Sequence, residues 1–328
     1  MSLKIQEIEE GVELSPFDDL WFAREYERAF VALDKPIKPP EIIISIGEHQ
    51  EYNNYVPTPV MTAGSFSVIA APSKSKKTLF KTQLCATYIG GNASYRFPLL
   101  CSHRKNDDYI LDFDTEQSEY YAQRTFRGVP KVVGTNYPNY LTFKILQLSV
   151  EERVAFIDKV LERFRGKVKL VFIDGVADLM NDVNNLEWSN QIVQKIIKWT
   201  DEYKIHICTI IHVAYGVTKA TGHLGSAVTK KAETVFLLKL DENNKDLVEV
   251  VPQYTRGYPF EAFKFMVDSN DFTIYPYDEF TGTMAKPITM HQSSPPREPT
   301  QERNTNTIPT ASPAEAFAKT PPNDGVPF

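Results

Sequence analysis

Four short apolar runs, each ending at a polar, acidic or small residue, constrain this chain more than any other feature. They read GSFSVIAA (Gly64–Ala71), YILDFD (Tyr109–Asp114), VKLVFID (Val168–Asp174) and IHICTIIH (Ile205–His212). Runs of this length are too short for buried helices, and continuous apolar character marks strands covered on both faces, as in parallel sheets. Segments of helical character separate them: KTLFKTQLCATYIGG after the first, Ser118 to about Phe126 after the second, and WSNQIVQKIIKWTDEY before the last. A further strand, LTFKILQL (Leu141–Leu148), precedes a helix ending near Arg165, whose start carries the Ser149/Glu152 capping-box pair. Three late runs, TVFLLKL, DLVEVVPQY and AFKFMVD, are strands without intervening helices. The expected fold class is therefore α/β: a doubly wound, mostly parallel twisted sheet flanked by helices, with an antiparallel C-terminal extension. Ligands of such sheets bind at the carboxyl ends of the strands.

The ends of the chain read differently. SPFDDLWFAREYERAFVALD is expected to form a helical arm, with Ser15 at the N-cap and Pro16 in the first turn, closed by KPIKPP at Lys35–Pro40. From Ala285 to Phe328 the text is rich in Pro, Ser, Thr and Asn; nine of the 22 prolines fall here. Such a segment buries too little surface to offset its ordering entropy, and a disordered tail is expected. The expected domains are thus an arm (1–40), an α/β domain (41–284) and the tail (285–328).

No apolar run approaches the roughly 20 residues that span a bilayer, and MSLKIQEIEEGVELS is charged without an apolar centre, so a cytoplasmic protein with no membrane association is expected. The three cysteines (Cys85, Cys101, Cys208) are widely spaced and form neither a disulfide framework nor a zinc pattern. A formal net charge of −6 argues against bulk electrostatic binding of nucleic acid and leaves room for a local basic channel.

Five constellations can carry chemistry. Ala71-Pro72-Ser73-Lys74-Ser75-Lys76-Lys77-Thr78 follows a buried strand and opens a helix, where a phosphate-binding loop belongs. Lys77 and Thr78 match the G-x-x-x-x-G-K-[ST] pattern, but Ala71 and Lys76 replace both glycines; a basic turn before a helix is the plainer reading. Asp174, ending an apolar strand about 100 residues later, has the position of a carboxylate that orients a Mg²⁺ shell. Asp114-Thr115-Glu116 offers either a water-polarising Glu116 or simple caps for the next helix. His212 ends a strand at the same edge of the sheet, as a phosphate sensor or a structural histidine. Arg256, in YTRG after a late strand, reads as a residue reaching a neighbour's site or as half of a surface ion pair.

In this order GSFSVIAAPSKSKKT, ILDFDTEQ, LVFIDGVADLM, IIH…GHLGSAVTKKAE and QYTRGYPFEAF resemble the RecA-like ring ATPases of the RepA/DnaB-like branch. More narrowly they resemble AAA-family ATPases with K-x-K-K-T loops carried by mobile elements of Bacteroides-type bacteria, over about Ile42 to Tyr275. The resemblance implies a RecA-like P-loop NTPase core using ATP and Mg²⁺. It implies that Ser73, Lys74, Ser75, Lys76, Lys77 and Thr78 bind nucleotide, Lys77 at the β/γ-phosphates, with Thr78 and Asp174 on the metal. Glu116 would activate water, His212 would sense the γ-phosphate, and Arg256 would be a finger in the adjacent subunit's site. Tyr254 stands where this branch often has a second basic residue. A homo-oligomeric ring, a hexamer for instance, and single-stranded DNA contacted through 213–231, with Lys219, Lys230 and Lys231, are the implied partners.

The last six residues, Asn323-Asp324-Gly325-Val326-Pro327-Phe328, resemble the tip of bacterial single-stranded-DNA-binding proteins. A terminal Phe can fill an apolar pocket while its carboxylate and Asp324 pair with cations, so the tip implies a replication-protein partner. Two functions remain open at this level: an ATP-hydrolysing motor or DNA-remodelling protein, helicase-like, in replication or mobilisation of a genetic element; or a catalytically weak nucleotide-dependent scaffold recruiting replication proteins. A small-molecule kinase is disfavoured, because no acceptor lid or second arginine cluster is evident.

Overall fold

The structure is a computed structural model that describes residues 17–213 and 222–285. It begins with helix α1 (Asp19–Ala29), whose N-cap is Asp18: its carboxylate accepts a hydrogen bond from the Trp21 amide. The expected cap, Ser15, and Pro16 lie outside the described residues, and the helix stops four residues before Leu33. None of its residues is buried, and Phe22, Tyr26 and Phe30 are exposed, Tyr26 stacked on Phe30 and tilted against Phe22.

Strands β1 (Ile42–Glu51) and β2 (Asn54–Thr62) form an antiparallel hairpin that the sequence reading did not anticipate. Pro57 and Pro59 hide β2 from a propensity reading; they are tolerated because β2 is an edge strand, pairing only with β1. Next come β3 (Phe66–Ala71), α2 (Lys77–Ile89), α3 (Asn92–Arg96) and β4 (Leu100–Ser102), the last of which joins the hairpin as a third strand. Then follow β5 (Tyr109–Asp114), α4 (Glu119–Phe126), α5 (Gly128–Val133), β6 (Tyr140–Lys144) and α6 (Val150–Arg163), the last opened by the expected Ser149/Glu152 capping box. Strand β6 is shorter than the apolar pattern suggested: its chain turns away after Lys144, and Leu148 donates its amide to Ile145.

The second half runs β7 (Val168–Asp174), α7 (Leu186–Tyr203), β8 (His206–His212), α8 (Gly222–Lys231), β9 (Thr234–Leu240), β10 (Leu247–Thr255), β11 (Phe263–Asp268), β12 (Thr273–Asp278) and β13 (Thr283–Met284). Helix α8 already begins at Gly222, so most of the described part of 213–231 is helix rather than loop. Pro276 likewise hides β12 from a propensity reading, although β12 pairs with β11 on one side and β13 on the other.

The large sheet has the order β13-β12-β11-β10-β9-β3-β8-β7-β5-β6. The run from β9 to β6 is parallel throughout; β10 to β13 are antiparallel. In the parallel part β8 lies between β3, which leads into the basic loop, and β7, which ends in Asp174; β5 lies beyond β7. This is a doubly wound α/β core with a mostly parallel sheet and an antiparallel extension, as expected.

Successive side chains of a strand point to opposite faces, so each strand supplies two cores. Ile69, Ile110, Leu170, Phe172 and Ile210 pack on one face with residues of α2, α3, α5 and the small sheet. Val68, Leu111, Phe113, Val171 and Ile207 pack on the other with α6, α7 and α8. Asp112, Asp114 and Asp174 have the parity of the α2 face, and so does His212. No helix among the described residues is long and apolar enough to cross a membrane.

Phe80 ties α2 to the antiparallel extension. It is fully buried, stacked on Phe265 at 5.9 Å and edge-on to Phe236 at 5.6 Å. Phe80→Ala is expected to cost about 3–5 kcal/mol in denaturant unfolding, the range for truncating a buried aromatic.

Candidate functional site

The loop between β3 and α2 achieves without glycine what glycines usually permit. Lys74 (φ 62°) and Lys76 (φ 63°) both occupy the left-handed region. Side chains there cost about 1–2 kcal/mol per residue, and left-handed residues within a turn are part of the backbone pattern of anion-binding concavities. The folded surroundings hold the conformation. Pro72 O accepts from Ser75 Oγ (2.6 Å) and from Lys77 Nζ (3.0 Å), and Lys76 Nζ pairs with Asp246 Oδ1 at 3.0 Å, just before β10. Ser75 is buried, whereas Ser73 Oγ lies 3.3 Å from His212 Nδ1. Of the six loop residues expected at the nucleotide, Lys77 and Ser73 are thus directly joined to the other site residues, and Ser75 and Lys76 shape the loop.

Lys77 Nζ also lies 3.2 Å from His212 Nδ1, and His212 Nε2 lies 3.3 Å from Glu116 Oε1. An ammonium only donates, so Nδ1 accepts; the ring proton then resides on Nε2 and is donated to Glu116. Lys77, His212 and Glu116 form a chain across three strand ends. The bond from His212 is the main reason that Glu116 titrates below the usual range, which keeps it a carboxylate at neutral pH. Burial lowers the Lys77 pKa from its ordinary value, opposed by Asp174 and Glu116.

None of Asp114, Thr115 and Glu116 caps the next helix, whose N-cap is Ser118. Asp114 accepts from the amides of Glu116 (3.1 Å) and Gln117 (2.7 Å), and Thr115 Oγ1 donates to Asp178 Oδ2 at 2.7 Å. Glu116 is left to turn toward His212. Gly175 makes room for it: a Cβ there would stand 3.0 Å from Glu116 Oε1 and 3.4 Å from Ile210 O.

Beneath this chain lies a charge cluster that the sequence reading missed. Lys81, one helical turn after Lys77, is fully buried with its Nζ 2.9 Å from Asp112 Oδ1 and 3.4 Å from Asp174 Oδ2. Asp112 Oδ2 accepts from Tyr140 at 2.7 Å. Burial works against the Lys81 charge, but the two carboxylates outweigh it and hold the ammonium firmly protonated. The visible signal was Lys81 spaced four residues from Lys77, facing Asp112 in a strand otherwise apolar.

Asp174 is buried, and its Oδ2 has no hydrogen-bond donor. Burial pushes its pKa up to about 6, with Lys81 opposing. A buried carboxylate oxygen lacking a donor, near the Thr78 helix start, fits a hard divalent cation such as Mg²⁺. Beside Thr78 opens a cleft of about 460 Å³ between α4–α5 and the β11–β12 turn. Its walls include Gln117, Tyr121, Arg124, Arg127 and Phe272, with the Arg124 guanidinium 5.4 Å from the Phe272 ring centroid.

Arg256 stands apart from all of this. Strand β10 is antiparallel to β9, so its end at Thr255 pairs with Thr234, the first residue of β9. Arg256 therefore sits at the amino edge of the parallel strands, and the basic loop sits at their carboxyl edge. The six residues of β3 alone separate these edges by roughly 20 Å. Instead of a surface ion pair, Arg256 Nη2 donates to Lys231 O at the end of α8 (3.0 Å), beside a cavity of about 540 Å³ that Lys230 also lines. Lys219 and the Asp324–Phe328 tip lie outside the described residues.

No protein-family model matches the chain, and no curated protein matches it. Among solved structures, the ATPase domain of G40P is similar at 16% identity and a TM-score of 0.48, over 65% of this chain and 85% of that one.

Two outcomes test the site's energetics. Lys76→Gly is expected to raise stability by up to about 1 kcal/mol in denaturant melts, because relief of the left-handed strain exceeds the loss of a part-exposed ion pair. Asp174 carries a raised pKa, so its contribution to stability is complete below the unfolded value near 3.8 and is lost as pH rises through about 6. Asp174→Asn is therefore expected to stabilise the nucleotide-free protein at pH 7.5, by at most about 3 kcal/mol, and not at pH 4. Thermal melts at the two pH values check this.

Proposed function

We propose that this chain is an ATP-dependent, Mg²⁺-using RecA-like motor or DNA-remodelling ATPase of the RepA/DnaB-like helicase class. The observation that carries the reading is the hydrogen-bonded chain Lys77–His212–Glu116, drawn from three strand ends onto one edge beside Asp174. In this reading the amides of 73–78 and Lys77 hold the phosphates, and the cleft beside Thr78 takes the ribose and base between Tyr121 and Phe272. Bound Mg²⁺, held by Thr78 and by Asp174 through its shell, would neutralise charge on the β- and γ-phosphate oxygens. Glu116, held ionised, accepts the proton of the attacking water. His212 links Glu116 to Lys77, so a phosphate that draws Lys77 away changes the support of the base; that is how a sensor would work here.

Arg256 supports an oligomer in this reading. It lies at the edge opposite its own loop and can complete only a neighbour's site, head to tail, as a ring requires. Lys230 and Lys231 at the end of α8, with Arg256, supply positive charge for single-stranded DNA. A replication role within a mobile element, a cytoplasmic location and a replication protein held by Asp324–Phe328 complete the proposal. So does the division into arm, ATPase domain and tail.

One observation favours the weaker scaffold reading: Lys76 is held by Asp246 in place of a loop glycine, which stiffens the loop. An ATPase assay with and without single-stranded DNA separates the two. The expected outcome is measurable turnover that Lys77→Ala abolishes together with nucleotide binding. Glu116→Gln is expected to keep binding while losing turnover by about 100-fold or more. Binding with no turnover in the unaltered protein would leave the scaffold. Arg256→Ala is expected to bind nucleotide but not hydrolyse it, and to recover part of the activity when mixed with Lys77→Ala.

A further inference from the structure

The Lys81 cluster asks for an explanation beyond packing. A lysine in a helix that faces an apolar core is costly to bury, and ion pairs so deep are weak contributors to stability compared with apolar residues of the same volume. Asp112 has both oxygens engaged, Oδ1 by Lys81 and Oδ2 by Tyr140. Asp174 differs: among the described residues Lys81 is its only cation within ion-pair distance, and it meets Oδ2 alone. The helix sets this spacing. Lys77 and Lys81 lie one turn apart on the side of α2 that faces β5 and β7, so the upper ammonium reaches the loop and the lower one reaches between the two strands.

We propose that Lys81 is a positioning residue for the metal–nucleotide site: its ammonium, 3.4 Å from Asp174 Oδ2, orients this carboxylate toward the shell of the cation that arrives with the triphosphate. The inference rests on the nucleotide reading above. Asp112 is the other carboxylate on Lys81 and accepts in turn from Tyr140; the contacts Tyr140–Asp112–Lys81–Asp174 run from β6 to β7 through α2. Without the ammonium, two buried carboxylates face each other across one gap, and Asp174 loses the contact that sets its orientation.

The test measures binding rather than turnover: the affinity for a fluorescent ATP analogue with Mg²⁺, divided by the affinity in EDTA. In the unaltered protein this ratio is expected to be about tenfold or more. Lys81→Met alone leaves Asp112 a buried carboxylate without its cation; Lys81→Met with Asp112→Asn removes one cation and one anion together. In that double variant, checked as folded by circular dichroism, the ratio is expected to fall to within about twofold of one while the EDTA affinity is kept. Asp112→Asn alone retains Lys81 and Asp174 and is expected to retain the ratio.

If Lys81 merely neutralises Asp112, the double variant keeps the full ratio, which overturns the proposal. Loss of the ratio in Asp112→Asn alone overturns it as well. A ratio of one in the unaltered protein overturns the nucleotide reading and the proposal with it, so the two failures are told apart.

Discussion

The site depends on the register of the parallel strands. Side chains alternate between the faces of a strand, and parallel pairing aligns strand ends side by side. Asp114 pairs with Asp174, and Ala71 pairs with His212. The chain therefore leaves β3, β5, β7 and β8 along one edge, and the polar residues that end these strands share the face covered by α2. A slip of one residue in any strand would send its terminal side chain to the α6–α7 face. The two hydrophobic cores prevent such slips, since each strand is buried on both sides.

Within that frame the basic loop is held by its contacts more than by its own propensities. Glycine would enter the left-handed region freely; Lys74 and Lys76 do so against a local cost. Pro72 O, gathering Ser75 and Lys77, and Asp246, holding Lys76, are what the folded chain sets against that cost. The same lysines surround the concavity with positive charge. Glu116 and Asp174 supply the negative charge of the same edge, and Asp112 lies beneath it, paired with the buried Lys81.

The two edges of the sheet carry different residues. The carboxyl edge gathers Lys77, Glu116, Asp174 and His212. The amino edge carries Arg256 at the end of α8, because the β9–β10 hairpin brings the chain back across the full height of the sheet. A head-to-tail arrangement of copies would bring unlike edges together.

The sequence by itself determined the strands of the parallel core, because fully buried strands must be continuously apolar and their ends must change character. It also singled out Asp174 and His212 as the polar ends of such runs, Glu116 just beyond one, and Lys77 by its place in the loop pattern. What it concealed has physical causes: prolines disguised β2, an edge strand that tolerates a missing donor, and β12, which β13 pairs only at Tyr277 and Asp278, beyond Pro276, and Asp18 rather than Ser15 caps the first helix. Only the tertiary structure decided that Glu116 and not Asp114 turns toward His212, that Lys81 reaches Asp112 and Asp174, and that Arg256 lies far from its own loop. Those outcomes follow from which strands become neighbours and in which direction they run, and pairing between segments far apart in the chain leaves little trace in local sequence.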